Sequence, residues 1–537
     1  MKDVLEMTEY VFGANILENL TTGMYQDSRV IYREYIQNAC DQIDKAQREG
    51  LLKKNEGHID IQLDEVERVI TITDNATGIP AALFREMLGN IAASDKQIGE
   101  AKGFRGIGRL CGLAYCRQLV FSSKAKGESV ISILRCDAEK MRKLIDQNNR
   151  GYKVSAQELL NEMYEFPEPI PVSKKDSDKH WFKVELKDVN TENRDLLAFL
   201  NVKEYLSFVA PVPYESKFIF RNKVYEHAES IGQHIDEYKI TLNGEYIHKK
   251  YGTKFKTSKG EDEIFDVVFK DFYDDNSNLI AWSWFGLSRL KAVIKKECAM
   301  RGLRLRKENI QIGDEDALKK LFREDRGQHY FVGEVFAVSN SLIPNSQRDY
   351  FNENAERNIF ESRIRNFFNE ELTRLYRDSS DINAAYGKIS NYEKKSSEFE
   401  QKKQEGMFID KAHEEEEARA VEKAKQEAEK ARENIEKQKK KVEDDPDNPT
   451  RKIITRIEEE RKRTEKQSKE KQKEQNNQQK KKKKDPEEQT VSHRTDKLSS
   501  LQKKDRKLLS KVFSIIYSTT DEKTAELIIS RIEDEFK

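Results

Sequence analysis

One helical segment constrains this chain more than any other part of its sequence. In the stretch EYIQNACD, Glu34, Asn38 and Asp41 stand at positions i, i+4 and i+7, so an α-helix places all three on one side. The apolar residues fall on the opposite side of the same helix: Ile36, Ala39, Cys40 and Ile43. We therefore expect the helix to bury its apolar side and to direct two carboxylates and an amide into a cleft.

These three polar groups are typical of a site for metal-assisted phosphate chemistry. A carboxylate can polarise a water molecule, and an amide oxygen is a suitable ligand for a hard cation such as Mg²⁺. Acidic residues at the same spacing also occur on ordinary surface helices. The segment by itself leaves both interpretations open.

A strand that ends in an acidic residue comes next. In VITITDNATGIP, the alternating residues 69–73 predict a strand that runs into Asp74, and a turn follows. A carboxylate in this position can accept a hydrogen bond from an exocyclic amine, while the small residues from Ala76 to Gly78 allow a purine ring to approach the backbone. The alternative is an Asx turn between a strand and a helix.

A glycine-rich segment, GFRGIGRLCG, follows about thirty residues later. Gly103, Gly106 and Gly108 form the pattern G-x-x-G-x-G, and a helix is predicted from Leu110. Glycines let successive backbone amides approach a polyphosphate, and the positive end of the following helix favours its charge. The segment lacks the GK[ST] ending of a P-loop and does not follow the first strand of a Rossmann unit, so neither of those folds is indicated.

In this order, the three motifs resemble the three boxes of the Bergerat-fold (GHKL) ATPases, which include gyrases, heat-shock protein 90 chaperones, MutL proteins and histidine kinases. The heat-shock protein 90 (HtpG-like) branch is the most similar. The resemblance covers Asp27–Tyr115, and these segments carry it in the family's order and at similar separations: REYIQNACDQIDKA, ITDNATGIP, LGNIAASDK and GFRGIGRLCGLAY.

The resemblance implies ATP and Mg²⁺ as ligands and gives each motif residue a role. Glu34 is implied to be the general base that orients the attacking water, and Asn38 to hold Mg²⁺ through its side-chain oxygen. Asp74 is implied to bind the adenine amine. Gly78 is implied to flank the base, and Asp41 to support the adenine end of the site.

By the same resemblance, Gly103, Gly106 and Gly108 form a hinged lid over the phosphates. Two departures from the family pattern affect the adenine end. Ala76 stands where the family has the first glycine of D-x-G-x-G. The threonine that the family has on a late strand is not evident in HWFKVELKDV, which leaves a second adenine contact unassigned.

Composition is consistent with an ATPase that works inside the cell. The chain has 97 basic and 97 acidic residues, and its 36% charged content and mean hydropathy of -0.86 are extreme for one globular body. The five cysteines form no C-x-x-C pair, and the first residues, MKDVLEMTEY, show no apolar signal region. We expect a cytoplasmic, reduced protein without a membrane partner.

The expected fold class is α+β, with two α/β domains at the start of the chain. Residues 1–195 are predicted to form a Bergerat-type α/β sandwich that binds ATP, and residues 200–378 a transducer-like α/β middle domain. Trp282 and Trp284 lie in the apolar stretch LIAWSWFGLSRL and are predicted to pack in the core of the second domain.

The middle domain contains a second resemblance to the heat-shock protein 90 family. In HYFVGEVFAVSNSLIPNSQRDYF, a strand, a leucine-proline turn and a short polar loop resemble the segment that delivers an arginine to ATP, which implies that role for Arg348. A guanidinium from another domain can offset charge that develops on the γ-phosphoryl oxygens. The alternative is that Arg348 pairs locally with Asp349 or Glu353.

Another basic stretch of the middle domain, RGLRLRKENIQIGD, places Arg304, Arg306 and Lys307 close together. Such residues could contact phosphate, nucleic acid or a partner. We expect an ordinary solvated strand edge instead.

The remaining third of the chain is predicted to be mostly helical and charged. Residues 385–445 are predicted to form a charged helix or a short coiled coil. Seven residues, most of them apolar, recur there at spacings of three and four: Val421, Ala424, Ala428, Ala431, Ile435, Gln438 and Val442. Residues 446–497 are predicted to be a charged, partly disordered linker. A charged helix is expected from Arg451 to about Gln475, and a solvated stretch with five consecutive lysines from Lys480 follows it. Residues 498–537 are predicted to be a pair of amphipathic helices that dimerises or binds a partner.

Together these features indicate a Mg²⁺-dependent ATPase that acts as a chaperone-like clamp, in which nucleotide closes a lid and couples two domains. The alternative is a MORC-like or gyrase-like ATPase that acts on nucleic acid, for example in bacterial antiviral defence. A homodimer is expected, with a client protein or nucleic acid as partner. A histidine kinase is not expected, because it needs a phospho-accepting histidine helix before the ATPase domain and the first histidine here is His58.

Overall fold

The computed structural model of the protein describes residues 12–21, 27–91, 108–481, 498 and 500–536. The chain divides into two compact units. The first contains Met1–Leu287 and Val293–Leu372, and the second contains Ser288–Ala292 and Thr373–Lys537. The first unit combines sheets with helices, and the second is mainly helical, so the expected α+β class is confirmed.

A mixed sheet forms the first part of unit one. Within the described ranges it has nine strands: β1 His58–Asp64, β2 Val69–Asp74, β3 Cys116–Lys124, β4 Val130–Asp137, β5 Tyr164–Glu165, β6 Ile170–Pro171, β7 Trp181–Val189, β8 Lys239–Leu242 and β9 Glu245–Tyr246. Their order is β5-β4-β3-β7-β2-β1-β8-β9, and β6 pairs with β4. Alternate residues of β2 are buried, and Ile70, Ile72 and Asp74 therefore share one face.

Helices contribute the other half of this core. They are α1 Asn15–Thr21, α2 Val30–Arg48, α3 Ala81–Gly89, α4 Ala138–Asn149 and α5 Ala156–Met163. Apolar residues of α2, including Ile36 and Ile43, belong to the same buried cluster as Ile59 and Ile72 of the sheet. Burial of these side chains fixes α2 on the sheet and so sets the position of its polar residues.

The first sheet extends beyond the boundary expected from the sequence. The segment EYKITLNGEY was assigned to the middle domain, but its strand β8 pairs in parallel with β1, with Lys239 opposite His58. Helices α6 Phe199–Val209 and α7 Arg221–Ser230 lie in the connection that precedes β8. A parallel strand needs such a long connection, and local sequence does not reveal which sheet it joins.

The middle part of unit one has a two-stranded and a five-stranded sheet. Their strands are β10 Lys254–Thr257, β11 Gly260–Glu263, β12 Asp266–Tyr273, β13 Leu279–Leu287, β14 Gly302–Lys307, β15 Ile310–Gln311 and β16 Val332–Ala337. The larger sheet has the order β12-β13-β16-β14-β15 and is followed by helix α8, Ala355–Asn366. Trp282 and Trp284 are 2% and 0% exposed, which confirms that they are packing residues.

The expectation of a solvated basic edge was wrong for two of its three residues. Arg304 and Arg306 are buried, because β14 lies between β15 and β16. Arg306 forms an ion pair with the buried Glu334, and its Nη2 donates to the carbonyl oxygen of Phe208 at 2.7 Å. Buried charges are tolerated when they are paired in this way.

Unit two consists largely of long helices: α9 Thr373–Glu405, α10 Lys411–Lys441, α11 Pro449–Lys481, α12 Lys503–Thr519 and α13 Glu522–Glu535. Helices α9 and α10 pack against each other along much of their length. The predicted apolar seam supplies the buried residues of α10: Ala424, Ala428, Ala431 and Ile435.

Part of the predicted linker is an ordered helix. Helix α11, Pro449–Lys481, covers the charged helix that the sequence predicts from Arg451 to about Gln475, and it buries Ile453, Ile454 and Ile457. Glu458 accepts a hydrogen bond from Tyr386 at 3.0 Å, and Arg461 pairs with Glu393 at 2.8 Å, which ties α11 to α9. Residues 482–497, which include most of the lysine run, lie outside the described residues. Across the described ranges, no helix combines the length and apolarity that a membrane span requires.

Candidate nucleotide site

Helix α2 carries the three polar residues of the first motif. Glu34 and Asp41 are 7% and 6% exposed, and Asn38 is half-buried. Two tyrosines anchor the helix. The hydroxyl of Tyr32 donates to the carbonyl oxygen of Leu196, and that of Tyr35 donates to the carbonyl oxygen of Arg109 at 3.0 Å. These contacts fix the rotation of α2 about its own axis and therefore the side on which Glu34 lies.

Glu34 lies in a buried, positively charged environment. Its Oε1 is 3.6 Å from Nε of Arg33 and 3.5 Å from Nε of Arg348. No group within the described residues donates a hydrogen bond to Oε1, although the atom is buried. A buried carboxylate oxygen without a donor is suited to accept one from a bound water.

Arg348 belongs to a narrow hairpin of residues 343–352 in the middle part of unit one, which we call the arginine hairpin. The amide of Asn345 donates to the carbonyl oxygen of Tyr350 at 2.9 Å, and the amide of Asn352 to that of Ile343 at 2.8 Å. From α2, Nη2 of Arg33 donates to the carbonyl oxygen of Gln347 at 3.0 Å. The structure therefore brings Arg348 to Glu34, whereas the sequence also left a local pairing open.

Asp74 lies at the end of β2 and is 4% exposed. Its Oδ1 accepts a hydrogen bond from the amide of Ala76 at 3.0 Å, which is the Asx turn considered as the alternative. Burial raises the pKa of Asp74 from 3.8 to about 7, although the Ala76 amide acts in the opposite direction. The turn does not exclude base binding, because the carboxylate has a second oxygen.

Gly78 occupies a position that only glycine fits. Its φ is +64°, and a Cβ added there would lie 2.2 Å from the carbonyl oxygen of Lys124. Ser123 accepts a hydrogen bond from the amide of Ile79 at 2.6 Å. The sequence analysis missed Ser123 and Lys124, although two serines and a lysine at the end of an apolar strand were a visible signal.

The second adenine contact stays unassigned after the structure is considered. On β7, Phe182 stands opposite Asp74, and Val184 stands opposite Ile72. Both neighbours on this face are apolar. Beyond Phe182 in the same cross-strand row stands Ser123 of β3, whose hydroxyl group is bonded to the backbone of Ile79.

Of the three glycines of the motif G-x-x-G-x-G, Gly103 and Gly106 lie outside the described residues. Gly108 begins a seven-residue 3-10 helix, Gly108–Ala114, where a longer helix from Leu110 was predicted. A Cβ added to Gly108 would lie 2.4 Å from Oε2 of Glu34. Gly108 therefore packs directly against the carboxylate of Glu34.

Two cavities lie close to these residues. One of about 510 Å³ is bordered by Asp74, His58 and His180. A larger one of about 690 Å³ is bordered by Arg33 and Gln347, but not by Glu34, Asn38 or Asp74. Since residues 92–107 lie outside the described ranges, neither cavity delimits the whole nucleotide site.

The donors present fit ATP and a magnesium ion. Within the described ranges, no group of three or more His, Cys, Asp or Glu residues could hold a metal ion by itself. Mg²⁺ in phosphate sites commonly takes one or two protein oxygens and completes its shell with phosphate and water. The half-buried amide of Asn38, beside the buried Glu34, matches that requirement.

Comparisons with known proteins agree with this geometry. The family model described as "Histidine kinase-, DNA gyrase B-, and HSP90-like ATPase" matches residues 28–165. The "Chaperone protein HtpG" of Psychrobacter cryohalolentis is 29% identical over 144 residues, which are 23% of this chain and 22% of the relative. That of Mycobacterium leprae is 23% identical over 334 residues, which are 55% of this chain and 46% of the relative.

Residues 28–165 therefore resemble the ATPase domain of that family, and the relatives that share this part of the chain are HtpG chaperones. The HtpG of Helicobacter hepaticus is 31% identical over 131 residues, 21% of each chain. The matches thus span about a fifth of two of these relatives and about half of the third. Glu34, Asn38, Asp41 and Asp74 all lie within the part that the family model matches.

Proposed function

We propose that this chain is a Mg²⁺-dependent ATPase that works as a chaperone-like clamp. The contact between Nε of Arg348 and Oε1 of Glu34, at 3.5 Å, carries the proposal. It joins the GHKL domain to the hairpin of the middle part through two charged side chains that are 12% and 9% exposed. The contact lies beside Gly108 and on the helix α2 that also carries Asn38 and Asp41, as a nucleotide site requires.

Glu34 acts as the general base in this proposal. It accepts a hydrogen bond from the attacking water through the oxygen that lacks a donor, which orients the water and polarises it. Gly108 packs against the other oxygen and so limits rotation of the carboxylate. A carboxylate can accelerate phosphoryl transfer in two ways: it positions the attacking water, and it accepts a proton from that water as a general base.

Asn38 holds Mg²⁺ through its side-chain oxygen, and the ion neutralises charge on the phosphates when bound. Asp74 accepts a hydrogen bond from the adenine amine, while Gly78 allows the base to approach the turn. Asp41 supports this end of the site from α2. The lid formed by Gly103, Gly106 and Gly108 encloses the phosphates.

Arg348 offsets the charge that develops on the γ-phosphoryl oxygens. Its guanidinium stays protonated in proteins and can contact two oxygens at once. Because the residue comes from the middle part of unit one, hydrolysis depends on how that part contacts the GHKL domain. This dependence makes closure of the clamp respond to nucleotide.

The relatives bear the name of a chaperone, and we extend that activity to this chain: a homodimer that holds client proteins. A nucleic acid target is the competing possibility. The two are separated by measuring ATPase stimulation by an unfolded protein and by plasmid DNA at two salt concentrations. Stimulation by DNA that collapses with salt would contradict the chaperone proposal, because counterion release dominates binding to DNA.

The catalytic assignment predicts that Glu34→Ala binds ATP but turns it over about 10²–10⁴ times more slowly, because only water activation is lost. Arg348→Ala should likewise lower kcat while leaving ATP affinity nearly unchanged, since the contact acts on the transition state. Calorimetry and a phosphate-release assay measure both quantities. Arg365→Ala, on the exposed side of α8, serves as the control. Normal turnover by Glu34→Ala would remove the base from this mechanism.

A further inference from the structure

Arg348 has an unusual backbone conformation. Its φ is +54°, in the left-handed region that residues with a Cβ adopt in only a few per cent of cases. Two groups approach its carbonyl oxygen. The amide of Gly313 donates to it at 2.8 Å, and Nη1 of Arg33 lies 3.5 Å away. Two segments that are distant in sequence, at Arg33 and at Gly313, therefore bind the carbonyl group of this strained residue.

Gly313 meets the arginine hairpin at a distance that excludes any side chain. Its own φ is +66°. A Cβ added to it would lie 2.6 Å from the carbonyl oxygen of Asp349 and 2.8 Å from Cβ of Ala317. The first of these atoms is backbone, so it cannot be avoided by rotation of a side chain. The hairpin would have to move away from residue 313.

We propose that Gly313 is a positioning residue for Arg348. Because Gly313 has no side chain, the arginine hairpin can approach it, and its backbone amide binds the hairpin so that the guanidinium of Arg348 reaches Glu34. This inference rests on the proposed role of Arg348 in hydrolysis. Gly313 acts through the backbone of the hairpin, because its amide donates to the carbonyl oxygen of Arg348 and an added Cβ would meet that of Asp349.

A small movement of this hairpin has a large expected effect on rate. Misplacement of a reacting group by about 1 Å can cost about 10²-fold, whereas ground-state binding depends on contacts elsewhere in the site. We therefore expect Gly313→Ala to lower kcat about tenfold or more and to change the Kd of ATP by less than about threefold.

Gly232 offers a matched control. Its φ is +69°, almost that of Gly313, but no atom lies within 4 Å of an added Cβ. Gly313→Ala and Gly232→Ala therefore impose the same backbone strain, and only the first creates a clash. Both full-length variants are compared by single-turnover hydrolysis at saturating ATP, by calorimetry with ATP and by thermal unfolding. If Gly313→Ala does not fold, it is combined with Ala317→Gly, which removes the close approach of the two Cβ atoms and leaves only the one to the carbonyl oxygen of Asp349.

The same substitution is then placed in the Arg348→Ala background. If Gly313 acts through Arg348, it should cause no further loss of kcat there, because coupled residues are not additive. Equal kcat for Gly313→Ala and Gly232→Ala, or a full additional loss in the double variant, would overturn the inference while the role of Arg348 stands. A normal rate for Arg348→Ala would overturn that role and the inference with it.

Discussion

At the scale of single residues, Asp74 combines burial with a position where it can bind a base. Its pKa is raised from 3.8 to about 7 by burial, so unfolding is coupled to its ionisation. Below pH 3.8 the carboxyl group is protonated in both states. As the pH rises towards 7, only the unfolded chain ionises, and a stabilising contribution of roughly a few kcal/mol is lost over this window.

The same titration predicts that ATP binds more tightly as the pH rises through about 7. An ionised carboxylate accepts a hydrogen bond from an amine more strongly than a neutral carboxyl group does. Calorimetry at pH 6 and pH 8, in buffers with different ionisation enthalpies, measures the affinity and the protons released. Asp74→Asn is the control, because it removes the titrating carboxyl group and leaves the ionisation of the ATP phosphates unchanged. It should bind ATP with about 1–3 kcal/mol less affinity, mainly at the higher pH. If ATP affinity depended on pH in the same way in the wild type and in Asp74→Asn, Asp74 would not be part of the adenine site.

The polar residues of the site were accessible to sequence analysis because each motif is short. Glu34, Asn38 and Asp41 lie within two turns of one helix, so their common face follows from helical geometry alone. The groups that surround them were not accessible. Ser123 at the turn and Arg33 at the hairpin contact residues distant in sequence, and nothing local specifies those contacts.

At the scale of elements, the turn between β2 and α3 has no room for a side chain at Gly78. Gly78→Ala adds a Cβ about where the backbone of Lys124 lies and imposes a left-handed φ on alanine. Strain and overpacking together should destabilise the fold by about 3 kcal/mol. Gly127→Ala is the matched control, since Gly127 has φ +81° with open space around it and should cost about 1 kcal/mol. Urea unfolding measures both, and equal midpoints would show that the turn is not tightly seated.

The elements that sequence analysis misplaced share a physical cause. In β14, alternating arginine and leucine are typical of a half-exposed strand, but Glu334 on β16 supplies a countercharge that allows Arg306 to be buried. Strand β8 joined the first sheet through parallel pairing with β1. Both outcomes depend on residues that are distant in sequence. The buried face of α10 could be predicted because it follows from the spacing of residues within one helix.

The placement of β8 predicts how the chain can be shortened. A fragment that ends at Val189 leaves β1 without its neighbour and exposes a strand edge. It should unfold or aggregate at lower urea concentration than a fragment of residues 1–372, which keeps the whole first sheet and the arginine hairpin. Circular dichroism during urea titration and light scattering compare the two. Equal stability would mean that β8 and β9 contribute little to the first sheet.

At the scale of the whole molecule, the C-terminal helices α12 and α13 expose apolar side chains that a second copy of the chain could cover. Leu508 and Ile515 of α12 are 64% and 60% exposed, and Leu527 of α13 is 62% exposed. The sequence of α12 contains five basic residues and one acidic residue, whereas that of α13 contains five acidic and two basic residues. A two-fold arrangement that sets α12 of one copy against α13 of the other would bury these apolar side chains and pair opposite charges.

We therefore expect the full-length chain to sediment as a dimer at micromolar concentration. Replacing Leu508 and Ile515 together by aspartate should convert it to a monomer, because a charge in a buried interface is left unpaired and costs several kcal/mol. Leu200→Asp is the control, since Leu200 is 76% exposed and lies on α6 of the first unit. If closure depends on two joined copies, the monomeric variant should also lose the concentration dependence of its ATPase rate. A dimer that survives the double substitution would place the contact elsewhere, and a monomeric wild-type chain would mean that the clamp acts as a single copy.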